Sequence, residues 1–182
     1  IQDNQLLYEY GKEVARQCKE IGVQINFAPV ADVDINPRNP VINTRSFGGD
    51  PKNVAQKVVA YSRGLEDGGV LSVAKHFPGH GDTEVDSHKA LPVLNFDRAR
   101  LDSIELYPFK EVIHAGLGGI MAGHLEVPEL GKNPASLSAH VIDNLLCREL
   151  GFRGLVFTDA LEMKGVSQNE NLCAKALKAG ND

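Results

Sequence analysis

The sequence contains no tryptophan, and aromatic side chains account for only 6% of its 182 residues. Proteins that bind nucleic acids rely on basic surfaces and often on aromatic rings that stack against bases. Here the net charge is −5 at pH 7, and the charged residues do not form long blocks of one sign. The composition therefore argues against a nucleic-acid partner and favours a small or neutral substrate.

Long apolar segments, cysteine clusters and nucleotide-binding motifs are also absent. No run of about 18 apolar residues occurs, so no membrane-spanning segment is predicted. Cys18, Cys147 and Cys173 are widely spaced, which predicts reduced thiols without a disulfide or a metal role. Neither G-x-G-x-x-G nor G-x-x-x-x-G-K-[ST] is present, and no cofactor is predicted.

Four apolar segments rich in β-branched residues stand out against this background. Each is almost continuously hydrophobic, which is typical of a strand that is covered on both faces of a parallel sheet. The four segments are Val23–Val33, Gly68–Phe77, Gly118–Val127 and Gly154–Leu161.

The stretches beside these strands have helical periodicity. The first two predicted helices each place four apolar side chains on one face, which are Leu6, Tyr10, Val14 and Ile21 in one and Val54, Val58, Tyr61 and Leu65 in the other. A third helix, 102–115, contains Pro108 and is expected to be broken. A fourth is expected to begin with Ser138 as its N-cap and to end at Gly151.

Alternating helices and strands suit either an open doubly wound sheet or a closed (β/α)8 barrel. Polar residues follow every predicted strand, namely Asp32 and Asp34, Lys75 and His76, His124 and Glu126, and Asp159. Barrel enzymes build their sites from the carboxyl ends of several strands, so the pattern favours an α/β fold of the TIM-barrel type. Because only about four βα units are present, we expect residues 1–182 to form a single barrel domain that is truncated at both ends.

A dense group of titratable side chains that could act in catalysis or bind a metal lies in one loop, "KHFPGHGDTEVDSH", residues 75–88. Its proline and glycines exclude a helix, so His76 and His80 do not form the paired ligands of a helical metalloprotease motif. A looser metal site remains open, with ligands drawn from His76, His80, Asp82, Asp86 and His88. For His80, His124, His114 and His140 a structural role is the simpler interpretation, in which the ring satisfies a neighbouring carbonyl.

Asp86 and His88 form a different kind of pattern. In an extended segment, a carboxylate two residues before a histidine can lie on the same side and accept the Nδ1 proton. It would fix the tautomer and raise the pKa of the imidazole, which suits a general acid and base near neutral pH.

Asp159 in "FTDALEM" follows the last predicted strand and would point into the mouth of a barrel. The segment "NTRSFGGDP" supplies a cation, Arg45, after the first strand. A carboxylate nucleophile, a separate proton donor and groups that bind sugar hydroxyls together make a set typical of glycosidases.

The loop motif, preceded by "FAPVADVDINPRNPVINTRSFGGDP" and followed by "GLVFTDALEM", resembles glycoside hydrolase family 3, in particular its β-N-acetylglucosaminidase (β-hexosaminidase) branch. The resemblance covers nearly the whole chain. It implies that Asp159 is the catalytic nucleophile, that His88 is the acid/base and that Asp86 orients it. It also implies that Lys75, His76 and Arg45 bind the sugar.

The resemblance thus implies a bacterial catalytic domain that hydrolyses terminal N-acetyl-β-glucosaminides, with peptidoglycan fragments as substrates and no cofactor. It is compatible with the cytoplasm or the cell envelope. Two alternatives remain at this point. One is a metal-dependent hydrolase that uses the cluster of residues 76–88, and the other is a barrel that binds sugar without catalysis.

Overall fold

A computed structural model describes residues 2–87, 89–168 and 170–182 of the chain. Helices and strands alternate along it. The strands are β1 (Ile25–Asn26), β2 (Leu71–Phe77), β3 (Gly119–Ala122) and β4 (Leu155–Thr158). The α-helices are α1 (Asn4–Glu20), α2 (Pro51–Asp67), α3 (Arg98–Ser103), α4 (Tyr107–His114) and α5 (Leu172–Ala179). A π-helix, His140–Glu149, precedes β4, and short 3-10 turns span Asn43–Arg45, Pro128–Leu130 and Ala135–Leu137.

The four strands form one parallel sheet in the order β1-β2-β3-β4. This sequential order is that of a barrel wall, whereas a doubly wound sheet reverses its order at a switch point. The sheet is also curved. Its curvature is shown by the contact between the rings of Phe27, just after β1, and Phe157 of β4, whose centroids are 5.2 Å apart. In a flat sheet, strands three positions apart would be separated by about 14 Å. The predicted barrel architecture is therefore confirmed, with the described residues supplying four of its strands.

The first strand is much shorter than the predicted Val23–Val33. Only Ile25 and Asn26 form a regular strand, and Val30 adds an isolated bridge to Lys75. Pro29 lies between them and has no N–H to donate to a ladder, which explains the interruption. The chain nevertheless continues along β2, because Lys75 donates its N–H to the Pro29 carbonyl at 3.1 Å.

The α1 helix buries a different face from the predicted one. The structure buries Leu7, Gly11 and Ala15, while Ile21 of the predicted set is 79% exposed. The reason is a close crossing of α1 and α2 at two glycines. A Cβ on Gly11 would lie 2.5 Å from the Tyr61 carbonyl oxygen, and a Cβ on Gly64 would lie 2.1 Å from that of Tyr8. Backbone-to-backbone contact, rather than a stripe of large side chains, sets the rotation of α1.

The other helix predictions agree better with the structure. All four predicted apolar residues of α2 are buried, including Val54 and Leu65. The segment with Pro108 is split into α3 and α4, with Pro108 in the first turn of α4, as expected. Gly151 follows the π-helix with φ +78°, and Ser138 precedes the helix in an extended conformation and accepts the Val141 N–H on Oγ at 3.4 Å, as expected for its N-cap.

The main core lies between the sheet and the helices that follow its strands. It contains aromatic and aliphatic side chains from β2, β3, α4 and the π-helix, such as Phe77, Ile120, Phe109 and Leu146. Within the residues that the structure describes, no helix is both long and apolar enough to cross a membrane.

The glycine crossing gives a first prediction. Alanine at an interior helix position normally stabilises a helix by about 0.5–1 kcal/mol relative to glycine. At Gly64 the added methyl group would collide with a backbone carbonyl of α1, which cannot rotate away. We therefore expect Gly64→Ala to lower the free energy of unfolding by about 1–3 kcal/mol, measured from the urea midpoint.

The exposed α1 variant Gln17→Ala is the control and should change stability by less than about 0.5 kcal/mol. A Gly64→Ala protein as stable as the parent would contradict the close crossing.

Candidate active site

Polar side chains gather where the parallel strands end. Lys75 and His76 lie near the carboxyl end of β2, and Asp159 directly follows β4. His124 follows β3, and Asp32 lies beyond β1. Since all strands are parallel, these carboxyl ends share one edge of the sheet, as the sequence predicted.

Asp32 is fully buried and accepts hydrogen bonds from three donors. Its Oδ2 lies 2.8 Å from His76 Nδ1, and its Oδ1 accepts the backbone N–H groups of His76 at 3.1 Å and His80 at 2.7 Å. Complete burial favours the neutral acid, but the His76 ring and the donors outweigh it and hold the pKa of Asp32 below its ordinary value. Because a carboxylate only accepts, His76 must carry a proton on Nδ1.

Asp32 was not among the site residues predicted from the sequence. Its place at the end of the first apolar segment was visible, but no local motif marks its partners. Those partners lie 44 and 48 residues further along the chain.

Neutralising Asp32 provides the second prediction. Asp32→Asn keeps the shape but places an amide NH2 against donors that need an acceptor, so we expect a loss of about 3 kcal/mol of unfolding free energy at pH 7. The pKa is depressed in the folded state, so this contribution is present above the ordinary value of 3.8 and is lost as the pH falls through the folded pKa. Urea unfolding at several pH values measures it.

Asp34→Asn is the matched control for this substitution. Asp34 Oδ1 is buried and has no hydrogen-bond partner within the described residues, and burial raises the pKa of this carboxyl. Its amide variant should be neutral or stabilising. Equal losses for the two variants would show that the bonds to Asp32 are not what stabilises the site.

Lys75, Arg45 and Asp159 are electrostatic neighbours. Burial and the Arg45 guanidinium lower the pKa of Lys75, and the carboxylates of Asp159 and Asp32 partly offset this effect. Arg45 ends the short 3-10 turn Asn43–Arg45, is exposed, and donates Nη1 to the Val41 carbonyl at 3.3 Å. The structure therefore brings together three of the side chains that the sequence singled out.

Asp159 is held by hydrogen bonds to the backbone of two other residues. Its N–H donates to the Ala122 carbonyl at the end of β3 at 2.9 Å, and its Oδ1 accepts the N–H of Ala160 at 2.8 Å. The side chain is partly exposed at the mouth of the half-barrel. A carboxylate in this position is accessible to a ligand.

The loop that follows β2 is anchored at its beginning. Asn39 donates Nδ2 to the carbonyls of His80 and Gly81 at 2.8 and 3.1 Å. Arg100 donates Nη2 to Asp82 at 2.8 Å and to Glu105 at 3.0 Å, so the next loop residue is tied to the α3–α4 segment.

His80 links this anchored part to the end of the loop. Its ring is buried, and Nε2 lies 3.0 Å from Ser87 Oγ, whereas Nδ1 has no partner in the described part of the chain. Burial lowers the pKa of His80, which favours the neutral ring. His80 is thus a second residue near the site whose partner the sequence did not reveal.

The predicted Asp86–His88 pair is described only in part, because His88 lies outside the described residues. Asp86 is partly buried, its carbonyl accepts the N–H groups of Lys89 and Ala90, and its Oδ2 lies 3.7 Å from Lys89 Nζ. The pairing of Asp86 with His88 stays a prediction.

The loop after β2 contacts the segment after β4 at a glycine. A Cβ on Gly165 would lie 3.2 Å from the Ser87 carbonyl oxygen and 3.5 Å from that of Ala90. The two segments that carry the predicted reactive residues therefore pack directly against each other.

The metal alternative gains no support from these contacts. Three of its proposed ligands are bonded elsewhere, His76 to Asp32, His80 to Ser87 and Asp82 to Arg100. Among residues 2–87, 89–168 and 170–182, no group of three or more His, Cys, Asp or Glu side chains is arranged to hold a metal ion.

The remaining histidines differ from one another. His124 is fully buried, with Nδ1 2.7 Å from Ser136 Oγ and Nε2 2.9 Å from the Ala160 carbonyl oxygen, which confirms the expected carbonyl contact. His114 and His140 are at the surface, where their described partners are the side chains of Glu111 and Asn144, so the expectation that each ring satisfies a neighbouring carbonyl was wrong.

A family model confirms the resemblance that the motifs suggested. The model for the glycosyl hydrolase family 3 N terminal domain matches residues 1–182. The chain belongs to glycosyl hydrolase family 3. Its (β/α)8-type architecture is the one expected for this domain.

Individual family 3 relatives agree with this assignment. A β-hexosaminidase A from Pseudoalteromonas piscicida is 42% identical over 85% of this chain, which spans 28% of that protein. The structure of a family 3 β-N-acetylglucosaminidase from Paenibacillus sp. str. FPU-7 is 43% identical with a TM-score of 0.97, over 100% of this chain and 35% of that one. NagZ from Neisseria gonorrhoeae, in complex with N-trifluoroacetyl-D-glucosamine, is 33% identical with a TM-score of 0.89, over 98% of this chain and 52% of that one.

The chain thus spans about half or less of the length of the family members it matches. By name, the first relative is a β-hexosaminidase and the second a β-N-acetylglucosaminidase, and the third was solved with an N-acylated glucosamine.

Proposed function

We propose that this family 3 domain is the catalytic part of a retaining exo-β-N-acetylglucosaminidase. The observation that carries the proposal is the partly exposed Asp159 carboxylate directly after β4, which acts electrostatically on Lys75, as the Arg45 guanidinium also does. A negative nucleophile next to donors for sugar hydroxyls is what a retaining glycosidase requires on one side of the sugar. The names of the relatives support the same reaction class.

In the first step, His88 donates a proton to the glycosidic oxygen while a carboxylate oxygen of Asp159 attacks the anomeric carbon. The bond from that carbon to the leaving oxygen breaks, and an ester between the sugar and Asp159 forms. Asp86 orients the His88 ring. Lys75, His76 and Arg45 bind sugar hydroxyls, and His76 is available for this because Asp32 holds its Nδ1 side.

In the second step, the now neutral His88 accepts a proton from a water molecule. The water oxygen attacks the anomeric carbon, the ester bond breaks, and Asp159 is released as a carboxylate. Two displacements at one carbon return the β configuration, so the reaction retains stereochemistry. A histidine and an aspartate differ in chemistry, which allows one to be protonated while the other is ionised.

The substrates that we propose are terminal N-acetyl-β-glucosaminides derived from peptidoglycan. The support for an N-acetylated sugar is the bound N-trifluoroacetyl-D-glucosamine of the Neisseria gonorrhoeae relative, together with the names of the other relatives. The peptidoglycan origin comes from the family resemblance.

The third prediction tests the nucleophile. We expect the full-length protein to hydrolyse 4-nitrophenyl N-acetyl-β-glucosaminide much faster than the plain glucoside, and Asp159→Ala to lower kcat by at least about 10³-fold. A 5-fluoro derivative of N-acetylglucosaminyl fluoride should label the protein, because its ring fluorine slows both steps while fluoride still leaves readily. Peptide mass spectrometry should locate the label on Asp159.

Two results would contradict this assignment. One is an Asp159→Ala protein with unchanged turnover, and the other is a label on a different residue. Loss of turnover in EDTA that added metal restores would favour the metal-dependent alternative instead. Glu20→Ala should have unchanged turnover and serves as the control, because Glu20 is an exposed carboxylate at the end of α1, which precedes β1 and so lies away from the carboxyl ends of the strands.

The fourth prediction concerns His88. Removing a general acid matters most when the leaving group needs a proton, so His88→Ala should lower kcat/KM by about 10²–10⁴-fold for an alkyl or sugar aglycone. The loss should be far smaller for 4-nitrophenolate, and azide should accelerate the second step with the activated substrate. The exposed histidine variant His140→Ala should behave as the parent with both substrates. Equal losses of His88→Ala on both substrates would argue against an acid/base role.

A further inference from the structure

Residues 159 and 160 are each held by a hydrogen bond from the end of β3 or from the residues just after it. The Ala122 carbonyl accepts the Asp159 N–H at 2.9 Å, and His124 Nε2 lies 2.9 Å from the Ala160 carbonyl oxygen. Between these two bonds, Ala160 donates its own N–H to Asp159 Oδ1 at 2.8 Å. The orientation of the Asp159 carboxylate therefore depends on the position of Ala160, whose N–H contacts the carboxylate and whose carbonyl contacts His124.

The protonation of His124 follows from its partners. A carbonyl oxygen can only accept, so Nε2 must carry a proton that it donates to Ala160. Burial lowers the pKa of His124, with the Ala160 carbonyl and Asp159 partly opposing this, so the ring is neutral with its only proton on Nε2. Nδ1 then has a lone pair and accepts the hydroxyl proton of Ser136 at 2.7 Å.

Ser136 is well placed to keep this tautomer. It is fully buried, its N–H donates to the Gly123 carbonyl at 3.3 Å, and its carbonyl accepts Asn181 Nδ2 at 2.9 Å. Without the Ser136 hydroxyl, the proton of His124 could move to Nδ1. A lone pair on Nε2 would then face the lone pairs of the Ala160 carbonyl, and the bond would be lost.

We propose that Ser136 and His124 form a positioning pair that orients the nucleophile Asp159 through the Ala160 carbonyl. The inference rests on the proposed function, because it assigns the pair to the first displacement. In the described structure, neither side chain of the pair makes a hydrogen bond to the proposed sugar-binding residues Lys75, His76 and Arg45, and His76 acts on His124 only through its charge. The effect of the pair therefore falls on the rate of attack by Asp159 and not on sugar affinity.

The experiment measures labelling by the 5-fluoro glycosyl fluoride in the full-length protein. This reaction reports the attack of Asp159 as an inactivation rate constant and sugar binding as a separate dissociation constant. Ser136→Ala and His124→Phe should lower the inactivation rate constant by about 10- to 100-fold, since a small displacement of a reacting group costs this much. The dissociation constant should stay within about threefold of the parent, and His124→Gln, which keeps a donor near the Nε2 position, should recover most of the rate.

Ser138→Ala is the matched control. Ser138 is a buried serine two residues from Ser136, and its hydroxyl accepts only a long bond from Val141 at 3.4 Å within the described residues. It should label at the parent rate. Like the control, Ser136→Ala removes only a hydroxyl oxygen. It therefore tests the positioning pair even if the His124→Phe protein does not fold.

The inference is overturned if folded Ser136→Ala labels at the parent rate, or if its loss lies wholly in the dissociation constant. Failure of the proposed function has a different signature. In that case the parent protein itself is neither labelled nor active, whatever residue stands at position 136.

Discussion

The side chain of Asp32 is fully buried and accepts hydrogen bonds from both ends of the turn that leaves β2. An isolated carboxylate in such a place would cost several kcal/mol, so its donors must be in place whenever the domain is folded. Those donors are the His76 ring and the N–H groups of His76 and His80. These bonds fix the direction in which the loop leaves the sheet, and they keep a proton on Nδ1 of the His76 ring.

The remaining contacts of the site are built on this turn. His80, placed by Asp32, reaches Ser87 near the end of the same loop, and His124 performs a similar task for the segment after β4. Both rings are buried, and burial keeps both neutral. Neutral imidazoles suit this purpose because they can bond at two edges without placing a charge in the core. The charged side chains Lys75, Arg45 and Asp159 remain nearer the solvent, where a ligand can meet them.

Much of the fold could be predicted from local patterns. Strands β2, β3 and β4 are continuous apolar runs, and α2 packs through regularly spaced large side chains, so periodicity was a sufficient guide. The pattern failed where packing does not depend on large side chains. The α1 helix turns its glycine face to α2, and Pro29 removes a ladder bond from the first strand, and neither effect appears in a hydrophobicity pattern.

The site was predictable to a similar extent. Strand ends and short motifs pointed to Lys75, His76, Arg45 and Asp159 as candidates because these residues lie within recognisable segments, and their roles stay predictions. Ser136 was missed, and Asp32, His80 and His124 were noted from the sequence but without their actual partners, apart from the expected carbonyl contact of His124. Each acts through a partner that is distant in sequence or that has no motif of its own, as with His124 and Ala160, which are 36 residues apart. Only the folded chain shows such pairs.

The contact at Gly165 has a consequence for the dimensions of the pocket. The backbone of the loop after β2 rests on this residue with no side chain between them, and Asp159 lies six positions earlier in the same segment. Retaining glycosidases with two carboxyl groups keep the two reacting groups only about 5–5.5 Å apart. Under the mechanism proposed above, a methyl group added at position 165 would press on the Ser87 carbonyl and push the loop away from the segment that carries Asp159, without touching Asp159 itself.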